Sequence, residues 1–200
     1  MHGLQVLISH PSPARLTSLH ELWAIIMNRP EIIIIAALAE SNRVIGVNGK
    51  LPWKIPEDAQ RFRELTIGHA VIMGRKTWEL DLNKQPLVDR YNVVISNSIA
   101  PDEIASLQLK HPLNLAFVNS LADALKKVQD HKKVYIVGGA SIYRQSLNLA
   151  DTLELTLVEG DFQGDTFFPE YQFLIGDQFA MVNLEAHAGY RFETYQRIAQ

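Results

Sequence analysis

The sequence predicts an α/β fold: a mostly parallel central sheet with helices on both faces and an antiparallel hairpin at its C-terminal edge. Three observations predict it. The run Ile32-Ile33-Ile34-Ile35-Ala36-Ala37-Leu38 is β-branched and continuous rather than alternating, as in a strand covered on both faces. Further short apolar runs are separated by capped or amphipathic segments, the order that brings successive strands parallel. Near the C-terminus, Phe179 to His187 and Tyr190 to Ile198 meet at Ala188-Gly189 and read as a hairpin.

Each element follows from local chemistry. Ile32 to Leu38 is the central strand. Ser41-Asn42-Arg43, Gly46, Asn48-Gly49 and Pro52 are turn chemistry, so residues 39–56 are expected to form one long loop around Trp53. Loops of that length in compact domains are usually functional. Pro56 starts a helix with Glu57 and Asp58 in its first turn, where acids complement the macrodipole. Phe62 and Leu65 give that helix an apolar face, and it ends near Ile67-Gly68. Ala70 to Met73 is a second buried strand, which Gly74-Arg75-Lys76-Thr77-Trp78 turns into a short helix. Tyr91 to Ile95 is the third strand and Leu115 to Val118 the fourth, with no helix expected between them. Asn119-Ser120 cap an amphipathic helix through Val128. Val134 to Val137 is the fifth strand, broken by Gly138-Gly139 before a helix from about Ala140 to Leu147, and Thr152 to Val158 alternates as the sixth.

Composition narrows the function. Two hundred residues, 47% of them apolar and 20% charged, are ordinary for one globular domain. Nineteen basic residues against 22 acidic give a net charge of -3, the wrong balance for binding a phosphate backbone. The absence of cysteine excludes disulfides, zinc-thiolate sites and thiol catalysis. The longest apolar run, Ile32 to Ala39, is far shorter than the about 20 residues a spanning helix needs. Residues 1–26 offer Leu4 to Ile8 and then His10-Pro11-Ser12-Pro13, with no sustained signal-peptide core. Residues 1–30 are therefore expected to be an N-terminal extension and 31–200 a single domain, with Met27 as an alternative start.

Five features point to chemistry. Asp58, just after the Trp53 loop and on a helix that turns Phe62 inward, is placed to face a pocket, where desolvation would raise its pKa and its two oxygens would match an amidine-like heterocycle. A helix-start acid facing water fits the same spacing. Gly74-Arg75-Lys76-Thr77 sits where a strand stops and a helix begins, offering free amides, a hydroxyl and two cations to a phosphate; a solvated basic turn is the alternative. Gly138-Gly139-Ala140-Ser141 repeats that logic, its glycines letting a diphosphate approach the backbone, although Gly-Gly at a strand end is also a common turn. Arg90 is placed to clamp a carboxylate bidentately or simply to be solvated. Thr156 is a polar group inside an apolar strand, or a residue chosen for β-propensity. The histidines show no metal-ligand spacing, so no metal site is expected, and no G-x-S-x-G signature appears.

Together these residues closely resemble dihydrofolate reductase. Ile35-Ala36-Ala37-Leu38, Ile45-Gly46, Leu51-Pro52-Trp53, Asp58, Phe62, Val71 to Glu79, Pro86-Leu87, Arg90, Ile136 to Tyr143, Leu155-Thr156 and Gly164 to Pro169 stand in that family's order, from about residue 31 to 198. The resemblance implies reduction of 7,8-dihydrofolate to 5,6,7,8-tetrahydrofolate by hydride transfer from NADPH, in support of one-carbon metabolism. Asp58 would hold the pterin edge and promote its protonation, with Trp53 and Thr156 ordering the hydrogen bonds. Ile35, Ala36, Ala59, Phe62, Leu82, Leu87, Val137, Tyr143 and Thr156 would contact substrate, Phe62 by stacking, and Arg90 would grip the glutamate carboxylate. Ala37, Ile45, Gly46 and the mobile-loop Leu51 would line the nicotinamide site. Arg75, Lys76 and Ser96 would take the 2'-phosphate. Gly74, Thr77 and the Val137-Gly138-Gly139-Ala140-Ser141-Ile142 turn would take the diphosphate, with Gly138-Gly139 as the family's cis bond, and Tyr143 would lie near the ring. The expected partners are dihydrofolate and antifolate-type inhibitors, not nucleic acid or membrane, and the expected state is a cytoplasmic monomer.

Some positions depart from the family's pattern. Ala59 is small where a larger side chain is usual, which implies a roomier benzoyl-glutamate pocket. Leu80 to Gln85 is long, leaving Leu82 as the expected substrate contact, and Ser141 replaces a frequent basic residue. The nearest rival is a pyrimidine reductase of riboflavin biosynthesis, which shares fold and cofactor; the Trp53 and Asp58 pair favours folate. A silent nucleotide- or folate-binding module would be expected to lack Asp58.

Overall fold

A computed structural model of the chain describes residues 29–199, so most of the expected N-terminal extension and the alternative start at Met27 lie outside the described residues. The strands are β1 (Glu31–Ala39), β2 (Val44–Gly46), β3 (Ala70–Gly74), β4 (Tyr91–Ile95), β5 (Leu115–Val118), β6 (Lys133–Ile136), β7 (Thr152–Val158), β8 (Thr166–Phe167), β9 (Phe179–His187) and β10 (Tyr190–Arg197). Between them run α1 (Pro56–Thr66), α2 (Pro101–Lys110), α3 (Leu121–Lys127) and α4 (Ala140–Ser146). A π-helical turn at Thr77–Asp81 follows β3, and a 3-10 turn at Gln172–Leu174 precedes β9.

Eight strands form one sheet in the order β5-β4-β3-β6-β1-β7-β10-β9. The pairs from β5 through to β7 are parallel, and β10 and β9 add antiparallel. Strand β1 lies at the centre because its side chains are apolar on both faces. Ile32, Ile34, Ala36 and Leu38 join one core with residues of α3 and α4, while Ile33 and Ile35 join the other with Phe62 and Leu65 of α1 and Leu107 of α2. Trp78, wholly buried, meets the edge of Phe117 at 5.8 Å within that second core. Gly189, at φ +84, makes the tight hairpin between β9 and β10.

Two local expectations need correction, and a third gains a detail. Helix α2 stands between β4 and β5, where none was expected, and serves as the crossover that makes those strands parallel. Its start signals, Pro101 with Asp102 and Glu103, repeat those of α1. The loop over residues 39–56 contains β2, which pairs with β8 in a separate two-stranded sheet. The short helix after Gly74 begins at Arg75 and continues as a π turn, so it takes more residues per turn than an α-helix.

The parallel strands all end on one side, and the crossovers there send helices to opposite faces. A cleft of about 1420 Å3 lies along those carboxyl ends.

Candidate active site

One half of the cleft is built from two strand-to-helix turns. Strand β3 ends at Gly74 and β6 at Ile136, and the Gly74 amide donates to the Gly138 carbonyl at 2.8 Å, joining the turns. The Gly138-Gly139 peptide is cis, and Gly138 has φ +132. A Cβ at Gly138 would lie 2.9 Å from Thr77 Oγ1, so glycine keeps open the gap between that hydroxyl and the backbone. Helix α4 begins beside it, with its Ile142 and Tyr143 amides closing on the Gly139 carbonyl. Gly74, Thr77, Val137, Gly138, Gly139, Ala140, Ser141 and Ile142 all line the cleft, as do Arg75, Lys76 and Ser96 at one end. Arg75 is engaged by Glu79, one turn on, while Lys76 is exposed. Ser96 Oγ accepts from the Ser98 and Ile99 amides at 3.2 and 3.3 Å, which shapes the turn it sits in.

The other half holds a carboxylate. Helix α1 carries Asp58 toward β7, where Thr156 Oγ1, 2% exposed as a residue, donates to Asp58 Oδ1 at 2.6 Å. Burial pushes the Asp58 carboxyl above its ordinary value, and the Thr156 bond and the charge of Arg61 act in the opposite direction. Asp58 thus lines the cleft and does not simply face bulk water. Ile35, Ala36, Ala59, Phe62, Leu82 and Leu87 line the same cleft with apolar surface. Tyr143 is buried and donates from its hydroxyl to the Ile35 carbonyl at 2.9 Å. Burial first, then the Asp81 and Asp58 carboxylates, keep its phenol protonated well above the usual range.

Ala37, Ile45, Gly46 and Leu51 also line the cleft. The turn that carries Leu51 is tied down: Val47 and Lys50 pair with each other, and the Asn48 amide donates to Asp165 Oδ2 at 2.9 Å. Thr166 Oγ1 donates to the other oxygen of Asp165 at 2.8 Å, and the Asp165 amide donates to the Gly46 carbonyl at 3.1 Å. The Asn48 and Thr166 bonds hold the Asp165 carboxyl below its ordinary value.

Three sequence-predicted residues stand off the cleft lining. Thr156 acts through Asp58. Trp53 packs edge-on against Phe162 at 4.9 Å, and its Nε1 is buried without a protein partner. Arg90, 7% exposed, donates from one terminal nitrogen to the Val88 carbonyl at 2.5 Å, and its Nε is buried and unpartnered. The structure also brings in residues that pattern reading had used otherwise or passed over. Phe167 enters from β8, Asn48 and Asp165 from the turns beside β2 and β8, Asp81 from the π turn, and Ser98 and Ser120 from the loops after β4 and β5. Ser120 reads in sequence only as a cap, which it also is, accepting from the Asp123 amide.

A glycine-lined cradle and a carboxylate raised by burial, in one cleft across the carboxyl ends of a parallel sheet, are the features of a nucleotide-dependent α/β enzyme. Known proteins narrow the class. The dihydrofolate reductase family model matches residues 31–197. The chain is 44% identical over 140 residues to the dihydrofolate reductase of Neisseria gonorrhoeae, covering 70% of this chain and 80% of that one. It is 34% identical over 174 residues to a dihydrofolate reductase of Haloferax volcanii, covering 82% of each. Among solved structures, dihydrofolate reductase from Enterococcus faecalis, complexed with NADP(H) and RAB-propyl, superposes with a TM-score of 0.70 at 28% identity, over 84% of this chain and 97% of that one. The chain belongs to the dihydrofolate reductase family.

Proposed function

We propose that Asp58 is the residue through which this cleft delivers a proton to the pterin. The activity is reduction of 7,8-dihydrofolate to 5,6,7,8-tetrahydrofolate with NADPH as the cofactor. The observation that supports the role of Asp58 best is its position: a carboxylate raised by burial, fixed by Thr156, in the same cleft as the Gly138-Gly139 cradle.

The residues present fit the cofactor. Gly138, where a Cβ would crowd Thr77 Oγ1, leaves room for a diphosphate against the backbone, and Thr77 offers its hydroxyl. Lys76 and Arg75, with Ser96 nearby, are the groups for the 2'-phosphate, and Lys76 is the freer cation because Glu79 holds Arg75. When bound, NADPH supplies the hydride. Ala37, Ile45, Gly46 and Leu51 give the nicotinamide side of the cleft an apolar lining that keeps out water, as a hydride transfer needs.

On the substrate side, Asp58 accepts two hydrogen bonds from the amino and ring N–H edge of the pterin and favours its protonated form. Thr156 fixes one carboxylate oxygen, so the other keeps its orientation. The buried, unpartnered Trp53 Nε1 is a donor for a water that relays the proton. Phe62, Leu82 and Leu87 take the benzoyl group, and Arg90, whose Nε has no protein partner, is the cation for the glutamate carboxylate. The same edge of Asp58 serves antifolate-type inhibitors that present an amidine. The protein works as a cytoplasmic monomer with no nucleic-acid partner; no described helix is long and apolar enough to cross a membrane.

Asp58→Asn tests the assignment. Absorbance at 340 nm with both substrates should show most turnover lost at neutral pH and partly regained in acid, while NADPH binding is retained. Unchanged turnover at pH 7 would remove Asp58 from the mechanism.

A further inference from the structure

We infer that Arg61, held in place by Glu154, is a positioning residue that sets the pH range over which this active site keeps its proton; the inference rests on Asp58 as the proton-delivering group. Arg61 lies three residues after Asp58, so the two share a face of α1. It donates to Glu154 Oε2 at 2.5 Å, and the two side chains are only 18% and 13% exposed. Thr194 Oγ1 donates to the same Glu154 oxygen at 2.7 Å. The Arg61 guanidinium also sits 4.7 Å from the centre of the Phe192 ring.

The sheet aligns these contacts. Glu154 and Thr156 alternate along β7 and so point to one face, and Thr194 and Phe192 lie directly across from them on β10. The strand that gives Thr156 to Asp58 therefore gives Glu154 to Arg61. A row of charge results: Glu154, Arg61, Asp58. Glu154 takes the guanidinium's short hydrogen bond, which keeps Arg61 from closing bidentately on Asp58 and fixing that carboxylate in its ionised form. At its tethered position Arg61 still opposes the effect of burial on Asp58.

Other groups complete the surroundings. Asp58 faces Thr156 from β7 and Tyr143 from α4, whose phenol also senses Asp81 of the π turn. Tyr190 of β10 senses Glu57 and Asp58. Arg61 faces Glu154, the β10 residues Thr194 and Phe192, and Tyr135 of β6, which senses both Arg61 and Glu154. Arg61 is the cation whose field acts on Asp58.

The two partners of one ion pair must then act in opposite directions. Removing the positive charge strengthens the hold of the site on its proton, and removing Glu154 leaves that charge uncompensated and weakens it. Pre-steady-state hydride transfer, from NADPH-loaded enzyme mixed with dihydrofolate, should be followed across pH for the wild type, Arg61→Gln, Glu154→Gln, the double variant and Arg61→Lys. The expected result is an alkaline limb moved up by about half a pH unit in Arg61→Gln, about threefold more rate on that limb, and down by about as much in Glu154→Gln. The double variant and Arg61→Lys should return near the wild type. Limbs that move the same way in both single variants, or that stay put together with the Asp58 carboxyl titration, would overturn the proposal; if Arg61→Gln does not fold, Glu154→Gln decides alone.

Carbon-13 NMR of the Asp58 carboxyl in the cofactor complex separates this inference from the role of Asp58. Should the carboxyl titration move as expected while the rate limb does not, the coupling stands and Asp58 is not the proton-delivering group. Loss of turnover in Asp58→Asn, with a carboxyl titration indifferent to Arg61, leaves Asp58 in its role and sinks the coupling.

Discussion

Asp58 carries a cost that its chemistry explains. Its carboxyl is raised in the folded protein by burial, more than Thr156 and Arg61 lower it. A group whose folded pKa lies above the unfolded value binds protons more tightly in the native state. Its contribution to stability is therefore full in acid and is lost as pH rises through the folded pKa. An asparagine keeps the shape and can still accept from Thr156 Oγ1, but it has no charge to desolvate. Asp58→Asn should accordingly melt higher than the wild type at about pH 8, and the difference should vanish near about pH 3, where the wild-type carboxyl is protonated in both states. Thermal unfolding across that range checks the sign. A variant that melts lower than the wild type at about pH 8 and level with it near about pH 3 would mean that the ionised carboxylate stabilises the fold. The same reasoning places the residue among those where activity is kept at the expense of stability.

At the scale of elements, the small β2–β8 sheet decides how the cleft is covered. Asp165 joins that sheet to the turn before Leu51 through the Asn48 amide, and Gly164 packs so closely that a Cβ there would lie 2.7 Å from the Gly46 carbonyl. The depressed Asp165 carboxyl contributes to stability above the ordinary carboxylate range and loses that contribution as pH falls through its folded pKa. It is exposed, so the effect is on the loop and not on the core. Asp165→Ala should leave the melting temperature nearly unchanged while weakening NADPH binding severalfold, read by fluorescence titration. Unaltered affinity would show that the turn keeps its place without the Asn48 bond. None of this sheet was legible in sequence, because strands of three and two residues are too short to show a period. The long parallel strands were legible for the opposite reason: β1 and β3 are buried on both faces, and their β-branched runs say so. Helix α2 was legible in principle, from Pro101 and its acidic first turn, but it has no buried residue to mark a strong apolar stripe. In the site, Thr77 and Gly138-Gly139 stand out because they follow strand ends, and Asp58 because it is an acid on a helix whose Phe62 turns inward. Ser120 does not, since it looks like an ordinary cap residue, and Asp165 shows only as part of the Gly164 to Pro169 run, with tertiary contact bringing both to the cleft.

Over the whole molecule, the described attachments of the chain to its sheet begin at Arg29. Its guanidinium forms a paired contact with Asp151 at 2.7 and 2.5 Å, and the same Asp151 Oδ2 accepts from the Ile32 amide at 2.8 Å. The Glu31 amide donates to the Lys132 carbonyl at 2.9 Å, and β1 then runs between β6 and β7. We propose on these grounds that residues 31–200 form a single reductase domain, with Arg29 and Pro30 docked on it and residues 1–26 dispensable to it. The partly exposed Arg29–Asp151 pair should be worth little, about 0–1 kcal/mol. Removing residues 1–26 keeps that pair and every contact named above, so melting temperature and turnover should stay at the full-length values. Removing residues 1–29 takes the pair away and should lower stability by no more than about 1 kcal/mol, with turnover unchanged because Asp151 lies at the start of β7, at the opposite end of the strands from the cleft. Chemical denaturation of the three proteins gives the comparison. A loss above about 2 kcal/mol on removing residues 1–26, larger than most surface changes cost, would show that this segment belongs to the folded domain.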